Sequence, residues 1–396
     1  MSRLLLRALV LASTGLVLLA CGDSEVGSTA AGGASSVAST TSAGGAGGEG
    51  GAAQGGGGGA GAGSACAPLY VPPGLFTASD GPIQLVGDGL RVWYAGVGEG
   101  GRVGSLARTE PEETPNGTEL VVPAFTKLRL RRAGDRTWSL WQRLDQDFVK
   151  IASLGEDALV EGVPANVDVP TGARFEALAE RGGSYFLYAL APNGGVLTET
   201  PLNIAMLAAG PPVEIDQLVS GVHWGETSQH DALVWFRSDA GASSLWASVD
   251  GGAPMELLEG ARPSSASLDR RVALSDEGVA VVIVDALDPS AEELVWFDWA
   301  GLELGRRPLE KLGTWSIVAA GQRLFRGATE VGADFRKAHY CFGTLDEDLC
   351  DEVVPPEAGQ YFSYQDAARI DDGWVTALGL LDGGPAAPQF GFLCDP

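Results

Sequence analysis

The sequence predicts an all-β domain built from seven copies of one four-stranded antiparallel unit, and three observations carry that expectation. Apolar residues come in short runs rich in Val, Trp, Phe and Leu, without the long stripes of amphipathic helices. Clusters of Gly, Asp and Asn punctuate those runs as turns do. Strand-turn-strand segments also recur at a near-constant pitch, which is the mark of a repeat architecture.

The repeated segments can be followed along the chain. RVWYAG begins at Arg91, TWSLWQ at Thr137, YFLYALAPNGG at Tyr185 and LVWFRSDAG at Leu233. VAVVIVDA begins at Val279, RLFRGA at Arg323 and GWVTALG at Gly373. One apolar landmark from each gives Trp93, Trp138, Phe186, Trp235, Val281, Phe325 and Trp374, with successive gaps of 45, 48, 49, 46, 44 and 49. Second hairpins lie downstream, as in SLWASVDGGAPMELL, ELVWFDWAGLELGRRPL and HYCFGTLDEDLCDEVV. This pattern resembles β-propellers, in which one blade cannot cover both of its faces but a closed ring covers all of them. The resemblance implies a single seven-bladed propeller over residues 66–396, with six or eight blades as the neighbouring counts. Neither the GH…WD pair of WD40 repeats nor the paired glycines of kelch repeats is present, so no subfamily follows. Two β-sandwiches are the competing architecture, but they would not need a constant pitch.

The segment before the repeats reads differently. Arg3 and Arg7 precede a short apolar run, Ala8 to Ala20, and Leu18-Leu19-Ala20 leads into Cys21. The run is too short to span a bilayer comfortably and has the flanks of a secretory signal. Its ending resembles the bacterial lipobox, which implies a signal peptide over residues 1–20 and a lipid on the Cys21 sulfur. That would make the membrane a partner through the lipid. It places the protein in the bacterial cell envelope, facing the periplasm or the surface. Gly22 stands where an Asp holds some such proteins at the inner membrane, so the outer membrane is favoured. Residues 21–65 then form a Gly/Ala/Ser-rich stretch that cannot bury enough surface to fold, so a disordered tether is expected. Its reach is roughly 35–40 Å.

Charge narrows the partners. The chain carries −25 at pH 7; two arginines before residue 21 and three carboxylates within 21–65 leave −24 on the domain. That sign repels phosphate backbones, so no nucleic-acid partner is expected. The acidity also serves solubility. No nucleophile elbow, phosphate-binding glycine loop or C-x-x-C pair occurs, and no cofactor is implied.

Candidate chemistry is sparse. Only three histidines occur, and two flank a carboxylate in His223-Trp-Gly-Glu226-Thr-Ser-Gln-His230. Imidazole and carboxylate serve both zinc and acid–base chemistry. The spacing matches no helical metal motif, so whether a metal binds stays open, and His223, Glu226 and His230 are the catalytic candidates. The carboxylates at Asp145/Asp147, Asp346/Glu347/Asp348 and Asp371/Asp372 lack the alternation of a calcium loop and read as solvated hairpin tips. SDAGASSLW, from Ser238 to Trp246, is similar to the Asp-box turn of sialidase-like propellers. It departs from that pattern at Arg237 and in the late position of Trp246, so no sialidase residue carries over. Apart from Cys21, four cysteines remain in a compartment that favours disulfides. Cys341 and Cys350 flank a hairpin tip, which predicts Cys341–Cys350. Cys66 opens the domain and Cys394 nearly ends it, which predicts Cys66–Cys394 if the first strand completes the last blade. The expected function is a lipid-anchored propeller acting as a binding or scaffold module for an envelope protein or a glycan. A propeller hydrolase or lyase acting on a glycan is the alternative.

Overall fold

The computed structural model describes residues 83–394 apart from short internal stretches; residues 1–82, 395 and 396 lie outside it. The expected signal peptide, tether, Cys21 and Cys66 therefore fall outside the described residues, and with Cys66 the Cys66–Cys394 pairing. Among the described residues the one helical element is a single 3-10 turn at Leu268–Arg270, and all other regular structure is β.

Seven antiparallel sheets follow one another along the chain. Blades 1 to 7 span residues 84–120, 126–168, 174–216, 219–259, 272–308, 313–352 and 361–394. Blades 1 to 6 have four strands each in sequential order, and blade 7 has three among the described residues. The first strands are Gln84–Asp88, Thr126–Ala133, Arg174–Arg181, Val219–Glu226, Val272–Ser275, Gly313–Ala320 and Tyr361–Ile370. Each neighbours the first strand of the next blade, and the last neighbours the first, so they form a closed inner ring. This is the seven-bladed β-propeller that the repeat implied.

The landmarks explain themselves in this frame. All seven fall in the second strand of their blade: Arg91–Val97, Arg136–Arg143, Ser184–Leu190, Asp231–Asp239, Gly278–Val284, Arg323–Val331 and Gly373–Leu381. A second strand is flanked within its sheet on both edges and covered by neighbouring blades on both faces. It therefore reads as a continuous apolar run, as in Ala232 to Phe236 and Val279 to Ile283, all buried. Six landmarks are at most 6% exposed; Phe186 is half-buried, with the Arg181 guanidinium 4.3 Å above its ring. Outer strands need cover only one face, and Glu303–Pro308 alternates accordingly between exposed and half-buried.

Blade interfaces hold the ring together. Trp93 and Ala95 of blade 1 pack on Leu128, Leu130 and Leu154 of blade 2, and each such fully buried side chain contributes about 1.5–3 kcal/mol. Between blades 5 and 6 the clamp is ionic. Arg271 and Glu292 pair at 2.6 Å, Arg271 Nη2 donates to Thr314 O at 2.8 Å, and Thr314 N donates to Glu292 at 2.9 Å. The close pairing and the two backbone bonds are what make such a buried pair tolerable.

The seam between blades 7 and 1 has its own solution. The first described strand pairs with the second strand of its own blade, not with blade 7. Among the described residues, closure uses a cluster of Ile83, Leu85 and Tyr94 with Ile370, Val375 and Phe390. Two hydrogen bonds add to it: Leu85 N donates to Asp366 Oδ2 and Asp371 N to Gly89 O. Gly87 is required there, because a Cβ would lie 1.8 Å from the Arg369 carbonyl oxygen. In blade 6, Cys341 and Cys350 face each other in register across the outer hairpin and form a disulfide, as the sequence predicts. Arg326, wholly buried, donates towards Cys350 Sγ at 3.5 Å.

Candidate functional site at one mouth of the ring

Because each blade repeats the same up-and-down order, all seven inner strands run in one direction and their C-terminal ends gather at one end of the channel. Asp88 and Glu226 end their strands, and Arg132 and Glu180 stand one residue from the ends of theirs. Strand alternation turns each side chain towards a neighbouring blade, so the four charges meet across blade boundaries.

Arg132 of blade 2 forms an ion pair with Asp88 of blade 1. Glu180 of blade 3 accepts a hydrogen bond from Gly183 N in its own hairpin turn. The turn of blade 2 comes against it at Gly134, whose φ of +64° suits glycine. A Cβ there would lie 3.4 Å from the Tyr185 hydroxyl and 3.5 Å from Glu180 Cγ. Glu226 of blade 4 completes the group. Burial pushes its carboxyl up to about 7, the Glu180 charge adds to the rise, Arg132 opposes it and Asp231 contributes a further increase. Burial likewise raises the Tyr185 phenol, helped by Asp135 and Glu180, against the pull of Arg136. At neutral pH this mouth holds a carboxyl poised between its two protonation states, next to a second carboxylate, a guanidinium and a phenol.

A polar layer braces the site from behind. Arg181 bonds to Tyr188 and Glu199 and stands 3.4 Å from Asp231, while Tyr188 donates to Glu199 at 2.6 Å. Burial raises the Asp231 carboxyl, opposed by Arg181 and by the hydrogen bond from Trp224 Nε1 at 3.4 Å. These contacts fix the end of the strand that carries Glu226.

The three residues singled out in the sequence separate. Glu226 lies at the mouth. His223, half-buried in the same strand, points to the other face, with its Nε2 beside Gly225 and on the same side as Leu274 of blade 5. His230 sits in the following turn, where its Nδ1 lies 2.8 Å from Asp250 Oδ2 and its ring lies tilted against Trp299 at 4.7 Å. Burial alone would raise Asp250, but its bonds to His230 and to Asp231 N outweigh that and hold it low. Among the described residues, no group of three His, Cys, Asp or Glu side chains is placed to hold a metal ion. Asp145, Asp147, Asp346, Glu347 and Asp371 are exposed.

The partners of Glu226 carry a signal in the sequence. Asp88, Arg132, Glu180 and Glu226 are 44, 48 and 46 residues apart, the pitch of the repeat itself. Aligning the repeats on their hairpin turns, rather than on their apolar landmarks, exposes the set.

No family model matches this chain, and no curated protein matches it. Solved structures do. The chain is similar to a prolyl endopeptidase from a study of inter-domain dynamics in two such enzymes, at 13% identity and a TM-score of 0.51, over 81% of this chain and 49% of that one. The chain thus spans about half the length of that enzyme. It is also similar to the β-propeller domain of the Trilobed protease from Pyrococcus furiosus, described as having an open velcro topology. There the identity is 8% and the TM-score 0.50, over 82% of this chain and 93% of that one. Similarity at this level defines the fold class, a β-propeller, and nothing narrower.

Proposed function

We propose that this protein is a ligand-binding module of the bacterial cell envelope, held to the membrane by a lipid on Cys21 and taking a glycan at the mouth that carries Glu226. The observation that supports this most is the meeting of Asp88, Arg132, Glu180 and Glu226 from four blades at one end of the channel. Planar carboxylates and a guanidinium, fixed on rigid strand ends, suit paired hydrogen bonds to neighbouring hydroxyls. The lipid reading rests on residues 1–22, and the large acidic domain agrees with a soluble body outside the bilayer.

One observation favours a second reading, a glycan hydrolase or lyase. A carboxyl raised to about 7 beside a second carboxylate is the arrangement in which one group holds a proton and the other does not. In that reading Glu226 donates the proton and Glu180 is the base.

The test is calorimetric titration of the purified protein with soluble oligosaccharides released from peptidoglycan and from envelope polysaccharide, with reducing ends assayed in parallel. Binding that weakens at least tenfold in Glu226→Gln and Glu180→Gln is the expected result. Product release would select the enzymatic reading. Binding untouched by either substitution, or none to any oligosaccharide, would overturn the mouth as the site.

A further inference from the structure

Outward from the mouth on the same face, blades 1 and 2 part around a cleft of about 520 Å³. We infer that this cleft, which shares Asp88 and Arg132 with the mouth, is an adjoining subsite for a carboxylate-bearing saccharide of the uronate type. Three arginines, Arg91, Arg132 and Arg136, line it together with four carboxylates, Asp88, Asp135, Glu156 and Glu161. The settings of the arginines differ. Arg132 is engaged by Asp88, and Arg91 is braced by the Glu156 carbonyl at 2.9 Å and Ser105 Oγ at 3.3 Å. Arg136 is 54% exposed, and the Asp135 carboxylate 3.9 Å away is 89% exposed. Water screens that pair, so a ligand carboxylate can displace Asp135 and take the guanidinium fork in two parallel hydrogen bonds.

An independent observation points the same way. Thr137, only 2% exposed, lines the cleft with a hydroxyl that has no hydrogen-bond partner among the described residues. A buried hydroxyl left unmet is unfavourable, and native proteins rarely tolerate one without a reason. Thr137 pairs in register with Arg132 on one side and Leu154 on the other, so the three share the face of blade 2 turned towards Trp93. With a small side-chain adjustment a ligand hydroxyl in the cleft can meet Thr137, and Glu161, on the outer strand of the same blade, can accept from further hydroxyls. Trp93 and Leu154 are each 5% exposed, so the cleft offers no apolar recess to a peptide side chain. A body rich in hydroxyls with a single carboxylate per unit meets all of these conditions.

The experiment titrates the full chain in detergent with oligogalacturonate and oligoglucuronate. It repeats the titration with the same oligosaccharides after reduction of their carboxyls to alcohols, and with an acidic peptide bearing a C-terminal carboxylate. At least one uronate should bind at least tenfold more tightly than its reduced form. Arg136→Gln should abolish that preference. Thr137→Val, which keeps the shape and removes the hydroxyl, should weaken binding 3- to 10-fold without lowering the melting temperature. Equal binding of uronate and reduced forms, no binding of either uronate, indifference to Arg136→Gln, or peptide binding as tight as the saccharide would each overturn the inference. Reduced oligosaccharide that binds through Glu226 and not Arg136 would remove the cleft site while leaving the mouth intact.

Discussion

Replacing Glu226 by Gln changes one proton equilibrium and little else, which makes it the sharpest probe of the mouth. Folding raises this carboxyl from 4.5 to about 7. Between those values the folded state keeps a proton that the unfolded state has lost. Stability therefore falls as pH rises through that window and levels off above it. The gap corresponds to about 3 kcal/mol at most, since each pKa unit is worth about 1.4 kcal/mol. Partial solvent access to Glu226 brings the realised figure to about 1–3 kcal/mol. Glutamine keeps the shape and cannot ionise, so the variant escapes that loss. At pH 5 it should melt within about 1 °C of the parent, and at pH 8.5 about 2–6 °C higher. Differential scanning calorimetry at the two pH values reads this directly. A shift that is the same at both, or a variant less stable at pH 8.5, would show that Glu226 does not sit in the buried, carboxylate-flanked setting described above.

Other consequences are equally concrete. Breaking Cys341–Cys350 with paired serines should destabilise the domain by about 3 kcal/mol in urea unfolding, the figure for a closed loop of this length, and retention of full stability would contradict a structural role. Non-reducing peptide mapping should recover that bond, and alongside it Cys66–Cys394; a Cys66–Cys341 link would refute the pairing. Gly87→Ala forces a Cβ onto the Arg369 carbonyl at the blade 1–7 seam, and should cost more than about 3 kcal/mol. Gly162→Ala, with φ +77° but nothing within 4 Å, should cost about 1 kcal/mol; equal effects would mean that the seam is not packed as described. Cys21→Ala should move the protein from the membrane fraction to the soluble one, and continued membrane association would refute the lipid anchor.

The repeat was legible in the sequence because one physical constraint acts on every second strand. Covered on both faces, each must be apolar, so Trp93, Trp235 and Trp374 announce themselves at the blade pitch. The Cys341–Cys350 bond was legible because a hairpin sets its register locally. The site was harder to read. His223 and Glu226 lie three residues apart in one strand, yet alternation sends them to opposite faces. What Glu226 meets is decided by blades 3 and 2, about 50 and 90 residues earlier in the chain. Charged strand ends also look like ordinary turn residues until the ring gathers them. The seam was legible only in part: closure through Gly87 and the Asp366 carboxylate rests on contacts some 280 residues apart, which no local pattern announces.

On the proposed function, the ligand binds at the end of the channel where the inner strands finish. Amide hydrogen exchange with and without saturating envelope oligosaccharide tests it most directly. Slowed exchange is expected in the turns after Arg132, Glu180 and Glu226, with blade cores unchanged. Protection confined to the opposite end, near Arg174 and Val219 where the same strands begin, would contradict it.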